Sequence, residues 1–227
     1  MINSGIILIN KPAGPTSHDI VDQLRRITGI KKIGHAGTLD PFAEGLLVML
    51  IGRETTKRQS EFLKNNKKYI ATVFLGATTD TYDKTGKTIN KYDGELPTRK
   101  EIEKVLKKFR GEISQIPPIY SAKKISGKRA YKLAREGKEV KLKPNKINIK
   151  TLKLTSYDVS SFKFQVLCSS GTYIRSLAHD IGQALGCGAY LEKLTRTKSG
   201  QFGLNNAIVL EDLDSKNWQK HLIGLEN

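Results

Sequence analysis

Residues Ile6-Ile7-Leu8-Ile9 form a short apolar run that predicts a strand over Gly5 to Asn10, and Lys11-Pro12-Ala13-Gly14-Pro15 predicts the turn that ends it. A helix is expected next. Ser17 is placed at its N-cap, Ile20, Val21, Leu24 and Ile27 share one face, and Gly29 stands where a C′ glycine stops a helix. A glycine-rich loop from Gly34 to Gly45 leads into Leu46 to Ile51, which reads as a largely buried strand, and Tyr69 to Leu75 reads as another. The best-marked helix begins at Thr98, which forms a capping box with Glu101. Its apolar face is Ile102, Val105, Leu106 and Phe109, and Gly111 is expected to end it.

Beyond Ile147 the period changes from helical spacing to alternation, with Phe162, Phe164, Val166 and Cys168 on one face of a strand that ends at Ser169-Ser170-Gly171. A helix then opens near Tyr173, carries Leu177, Ile181 and Leu185 at four-residue spacing, and breaks at Gly186-Cys187-Gly188. Strands and helices do not alternate regularly, so the order predicts an α+β fold with a mixed, mostly antiparallel sheet. No internal repeat and no low-complexity tract is present.

Charge changes this picture. The 227 residues hold 39 Lys and Arg against 22 Asp and Glu, a formal charge of +17 that makes polyanions the natural partners, with nucleic acid ahead of an anionic membrane surface. Nearly half of the excess is local: residues 123 to 146 carry ten Lys and Arg against two Glu, a net +8. That segment also contains Gly127, Gly137 and Pro144, with a weak helical stretch only around Ala130 to Arg135. It reads as an inserted basic arm, and Tyr120 and Tyr131 beside the cations favour RNA contact over a merely solvated charged face. No apolar run approaches the roughly 20 residues of a spanning helix, and the first apolar run is too short for a signal sequence, so a cytoplasmic protein without a membrane partner is expected. Cys168 and Cys187 lie far apart in no metal-ligand spacing and read as buried, reduced thiols.

Local motifs leave the chemistry open. The loop Gly34-His35-Ala36-Gly37-Thr38-Leu39-Asp40-Pro41 combines one acid, one imidazole and glycines that permit close approach to a backbone, yet Asp before Pro is also a common turn pair. Thr79-Asp80-Thr81-Tyr82-Asp83 has two carboxylates in a spacing that fits neither a calcium loop nor a His-carboxylate metal site, so a supporting polar loop is expected and no metal. His18, His179 and His221 are isolated and receive no chemistry, and no glycine-rich phosphate motif points to a nucleotide cofactor. Arg175, in Gly171-Thr172-Tyr173-Ile174-Arg175 at a strand-to-helix junction, is able to pair with a carboxylate and hold it ionised, or to form an ordinary surface salt bridge.

Five collinear blocks, taken together, resemble the TruB family of tRNA pseudouridine synthases. They are Asn10-Lys11-Pro12 with Gly14 and Thr16-Ser17; GHAGTLDPFAEGLL from Gly34; Lys67-Lys68-Tyr69 with Leu75-Gly76 and TTDTYDKTG; QIPPIYSAKKISGKRAY; and CSSGTYIRSLAHDIGQALGCGAYLEKLTRTKSG. The resemblance runs from about Gly5 to Gly203. It implies the pseudouridine synthase fold, with a central sheet flanked by helices, a catalytic domain over residues 1–203 and an RNA-gripping thumb insertion at about 116–146. Only 24 residues follow Gly203, so the stretch 204–227 is expected to be a short extension without the C-terminal RNA-binding PUA domain of longer relatives.

The resemblance also implies a reaction. Uridine 55 in the T-arm of tRNA would be isomerised by breaking N1–C1′ and forming C5–C1′, with no cofactor, no guide RNA and no obligatory protein partner, by a monomer. Asp40 matches the catalytic aspartate of the family, whose carboxylate meets the positive charge that develops at the sugar. Attack at C1′, attack at the base and passage through a glycal all remain open. Tyr69 matches the active-site tyrosine that stacks on uracil and assists proton removal; Arg175 matches the arginine paired with the aspartate. His35, Tyr173 and Leu194 match positions that hold the flipped nucleotide, since a stacked base is out of reach. Lys123, Lys124, Lys128 and Arg129 fall in the RNA-gripping insertion. Ala36 and Val48 depart from the usual threonine and proline. A guide-RNA-dependent synthase and a non-catalytic RNA-binding module are the competing readings; the intact set of Asp40, Tyr69 and Arg175 argues against the latter.

Overall fold

The computed structural model describes residues 4–121, 123–125, 128–130, 136 and 142–225. In chain order its elements begin with β1 (Gly5–Lys11), α1 (Ser17–Thr28), β2 (Ile33–His35), β3 (Glu44–Ile51), α2 (Gly52–Lys57), α3 (Gln59–Leu63) and β4 (Lys67–Leu75). There follow β5 (Ala77–Thr79), β6 (Thr88–Lys91), α4 (Arg99–Lys108), β7 (Gly111–Gln115), β8 (Lys124–Ile125), β9 (Lys128–Arg129), β10 (Asn145–Asp158) and β11 (Ser161–Cys168). The last are α5 (Ile174–Leu185), β12 (Ala189–Ser199) and β13 (Phe202–Gly203), after which three short 3-10 turns end the described chain. Contacts divide it into two compact units, one formed by the chain up to Tyr69 with the chain from Leu194 onward, the other by Ile70–Lys193.

In the first unit β1 lies antiparallel to β3, from Gly5 opposite Ile51 to Lys11 opposite Gly45. β2 is antiparallel to β3, and β12 runs parallel to β3 at Thr195–Arg196. Both faces of this ribbon are covered. Ile7, Ile9, Leu47, Met49 and Ile51 pack with Ile20, Val21 and Leu24 of α1 and with Leu210, Leu213 and Trp218, while Ile6, Leu8, Leu46, Val48 and Leu50 pack with Ala36 and Phe202. Burial on both sides is the reason β1 and β3 read as unbroken apolar runs without alternation. The chain beyond Gly203 belongs to this core: Ile208 bridges to Ile9, Ile223 bridges to Ile6, and Trp218 is buried.

In the second unit β7, β10 and β11 form an antiparallel sheet, with the apolar face of β11 formed by Phe162, Phe164, Val166 and Cys168, all buried. The α+β class with mixed, mostly antiparallel pairing is therefore observed. Two helix ends differ by a residue or two from expectation. Thr16, not Ser17, caps α1, because its hydroxyl accepts from the Asp19 N–H and the Asp19 carboxylate accepts from the Thr16 N–H. α4 has the expected capping box of Thr98 and Glu101 but stops at Phe109, and Gly111 opens β7. Gly29 and Gly186 end α1 and α5 in left-handed backbone, as their spacing predicts.

Of the basic arm, β8 and β9 pair antiparallel, Lys124 opposite Arg129 and Ile125 opposite Lys128, and Lys123 donates through Nζ to the Lys143 carbonyl (2.9 Å) and to Asn145 Oδ1 (2.7 Å). Apart from Ala130, the helical stretch expected at Ala130 to Arg135 lies outside the described residues, as do Gly127, Tyr131 and Gly137. Among the described residues no helix is long and apolar enough to cross a membrane. Cys168 and Cys187 are buried and form no disulfide.

Candidate active site

Asp40 sits in the first unit, half-buried, in the irregular segment between β2 and β3. Backbone on both sides of it is fixed by buried polar groups. On the N-terminal side, the Ser17 hydroxyl at the start of α1 accepts from the Leu39 N–H (2.9 Å) and donates to the Leu39 carbonyl (3.1 Å). On the C-terminal side, the Pro41 carbonyl accepts from the Gly14 N–H (2.8 Å) and from Lys11 Nζ (3.3 Å). The Asp40 carbonyl closes the turn by accepting from the Ala43 N–H at 3.1 Å.

Two fully buried cations complete this cradle. Lys11, the last residue of β1, donates to the carbonyls of Pro12 (2.7 Å), Pro15 (2.8 Å) and Pro41. Arg196 of β12 donates through Nε to the Leu46 carbonyl (2.7 Å) and through Nη2 to the Gly37 carbonyl (3.0 Å). A β-carbon at Gly45, whose φ is +98°, would stand 2.5 Å from the Arg196 carbonyl, so only glycine lets β3 come this close to β12. Burial pushes the Lys11 ammonium down to about 8, opposed by its attraction to Asp40. That attraction favours the charged ammonium.

His35, Tyr69 and Leu194 belong to the same unit. His35 ends β2 half-buried, and its carbonyl accepts from Gln59 Nε2 at 2.8 Å. Tyr69 and Leu194 are buried strand residues of β4 and β12. Beside Tyr69 in sequence, the buried Lys67 donates to the Leu63 (2.7 Å) and Asn65 (2.8 Å) carbonyls.

Arg175 and Tyr173 lie in the second unit. Tyr173 is the N-cap of α5, and its backbone is held from both sides by one amide: Gln115 Oε1 accepts from the Tyr173 N–H (2.8 Å) and Gln115 Nε2 donates to the Tyr173 carbonyl (3.0 Å). Arg175 is buried in the first turn of α5. Its Nη1 faces Asp83 Oδ2 at 3.3 Å and donates to the Thr81 carbonyl (3.1 Å), while Nη2 donates to the Tyr120 carbonyl (2.9 Å). The other oxygen of Asp83 accepts from the Thr81 hydroxyl (2.9 Å) and from the N–H and hydroxyl of Thr85. Every donor Asp83 needs is thus present, which is what a buried ion pair requires to persist. The carboxylates of Thr79-Asp80-Thr81-Tyr82-Asp83 serve hydrogen bonding, since Asp80 accepts from the Lys87 N–H at 2.8 Å. Burial raises the neighbouring Asp180 to about 6 and lowers His179.

Lys11, Arg196 and Gln115 carry no mark in the residue-by-residue pattern, and Asp83 is marked only as part of the expected supporting polar loop. The Asp-Thr spacing of the 79–85 loop carried a signal for Asp83 alone. Arg196 was hidden because the buried positions of β12, Ala189, Leu191, Leu194, Arg196 and Ser199, skip a beat between Leu191 and Leu194 and again between Arg196 and Ser199, and so lose the period of two.

A mixed, mostly antiparallel sheet with flanking helices and a small basic ribbon defines the class, the pseudouridine synthase fold. Residues 25–174 match the family model described as TruB family pseudouridylate synthase (N terminal domain), and residues 175–224 match the tRNA pseudouridylate synthase B C-terminal domain. The chain belongs to the TruB family of pseudouridine synthases. It is 50% identical over 204 residues to tRNA pseudouridine synthase B of Protochlamydia amoebophila, covering 90% of this chain and 77% of that one. The protein of the same name in Clostridioides difficile is 46% identical, with 97% and 75% covered. Among solved structures, a Cbf5-Nop10-Gar1 complex matches with a TM-score of 0.74 and 32% identity over 99% of this chain, which spans 57% of the length of the chain it matches.

Proposed function

We propose that the protein isomerises uridine 55 in the T-arm of tRNA to pseudouridine, with Asp40 as the nucleophile. The observation that carries this reading is the cradle of Asp40 in a chain of this family: Ser17, Lys11 and Arg196 fix the loop on either side of one half-buried carboxylate. A carboxylate so placed answers the positive charge that develops at C1′ as the N1–C1′ bond breaks, and fixed geometry avoids reorganisation at the moment of reaction. Uracil then turns, C5 bonds to C1′, the proton on C5 leaves and N1 takes up a proton. Tyr69 is assigned to stacking on the base and to assisting that proton removal; His35, Tyr173 and Leu194 are assigned to the flipped nucleotide. Arg175 is the second charged group of the machinery. Its orientation rests on Asp83, Thr81 and Tyr120. Of the arm cations, Lys124, Lys128 and Arg129 are assigned to phosphate contact, while Lys123 is spent on the Lys143 carbonyl and Asn145.

The test is to incubate the purified protein with a bare T-arm transcript and map pseudouridine. Product at the T-arm uridine is expected without guide RNA or added protein; a requirement for either would overturn the proposal in favour of a guided synthase. Asp40→Asn is expected to abolish product while RNA affinity stays near wild type, because phosphate contacts reside in other segments. Undiminished product from Asp40→Asn would remove Asp40 as nucleophile.

A further inference from the structure

Tyr82 has φ +63°, the left-handed region that residues with a β-carbon rarely adopt. Something must hold it there. Its N–H donates to the Thr79 carbonyl (3.2 Å) and its carbonyl accepts from the Leu191 N–H (2.9 Å). Its ring lies flat on the His179 imidazole, centroids 3.9 Å apart and planes 13° from parallel. The residues on either side of Tyr82 both bind Arg175 Nη1: Thr81 through its carbonyl and Asp83 through its carboxylate.

Arg175 and His179 are four residues apart on α5 and so project from one face on successive turns. The helix therefore grips the 81–83 turn twice, by the guanidinium at the flanks of Tyr82 and by the imidazole on its ring. His179 suits this task as an uncharged plate. Its Nδ1 is buried with no hydrogen-bond partner among the described residues, and burial disfavours the imidazolium. Nothing in the sequence pattern assigned this histidine a role.

We propose that Tyr82 and His179 are positioning residues, whose stack locks the left-handed turn so that Thr81 and Asp83 hold the Arg175 guanidinium in its working orientation. The proposal rests on the assignment of Arg175 to the catalytic machinery. Loss of the stack leaves the unfavourable conformation of Tyr82 to its backbone hydrogen bonds with Thr79 and Leu191, and the ion pair loosens as the turn moves.

The experiment compares His179→Ala, Tyr82→Ala, His179→Phe, Tyr82→Phe and Asp83→Asn in single-turnover pseudouridine formation at saturating T-arm transcript, with transcript affinity and urea midpoint measured for each. The two alanine variants are expected to slow the single-turnover rate roughly 3- to 10-fold, the worth of one aromatic pair, with affinity for the transcript unchanged. Both phenylalanine variants keep a flat face and restore the rate, an outcome that a role of the imidazole nitrogens or the phenol hydroxyl would not produce, whereas His179→Leu, of similar bulk without a flat face, stays slow. The double alanine variant is no slower than either single one, because both remove the same contact. Should His179→Ala fail to fold, His179→Leu takes its place, apolar but without a flat face, and is expected to be equally slow. Alanine variants at the wild-type rate beside a slow Asp83→Asn would overturn the positioning role alone. A wild-type rate in Asp83→Asn as well would overturn the assignment of Arg175. A His179→Phe variant as slow as His179→Ala would show that the stack is not what matters and would overturn the proposal.

Discussion

Lys11 makes three hydrogen bonds with the three protons an ammonium carries, to the carbonyls of Pro12, Pro15 and Pro41. Loss of one proton leaves two donors for three acceptors and removes a positive charge from beside Asp40. With its value lowered to about 8, the single-turnover rate is expected to fall as pH rises through that point. Lys11→Arg, whose guanidinium does not titrate there, should start from a lower rate but lack this alkaline limb. Stability moves the opposite way. The folded value lies below the ordinary 10.5 of the unfolded chain, so between these pH values the unfolded state binds more protons and the contribution of Lys11 to stability rises with pH. A wild-type rate that stays flat to pH 9.5, or a Lys11→Arg limb like that of the wild type, would contradict this account. Lys11 was legible only as part of a family block: nothing in a lysine before proline announces a fully buried ammonium, because its acceptors come from separate turns and one of them lies 30 residues away.

At the scale of elements, the sequence was most readable where a helix is written locally. The boxes of α1 and α4 and the glycine after α5 concern residues within four positions of one another, so the pattern alone placed those ends to within about two residues. β12 was not readable, because what makes it a strand is non-local: Thr195 and Arg196 pair with Glu44 and Gly45, some 150 residues earlier. That pairing leaves no space for a side chain at residue 45. Gly45→Ala would set a β-carbon 2.5 Å from the Arg196 carbonyl at a φ of +98°. The cost is expected to be roughly 2–4 kcal/mol, the sum of backbone strain and forced separation, read as a lower urea midpoint at unchanged slope. Since Arg196 is also the donor to Gly37, product formation should fall along with stability. A midpoint within experimental error of wild type would show that the two strands separate freely and that the close approach constrains nothing.

Over the whole molecule, the charge of +17 was legible as a call for a polyanion, but composition cannot say which cations face it. The 123–146 segment draws the distinction. Lys123 spends its ammonium within the protein, on the Lys143 carbonyl and Asn145 Oδ1, and so ties the two ends of the arm together. Such a cation contributes field but is committed elsewhere when a phosphate arrives. Lys124, Lys128 and Arg129 are the cations of the β8–β9 pair. If these three meet phosphates, replacing all three with Gln should reduce the steepness of the plot of log affinity against log salt by roughly 2, at 0.7 to 0.9 per phosphate. Adding Lys123→Gln should change that slope little further and instead lower the midpoint of unfolding. The single-turnover rate at saturating RNA should survive the triple replacement, because loss of phosphate contact weakens binding without touching Asp40. An unaltered salt slope in the triple variant would take the RNA-gripping role away from the β8–β9 pair and leave the binding field to the rest of the chain.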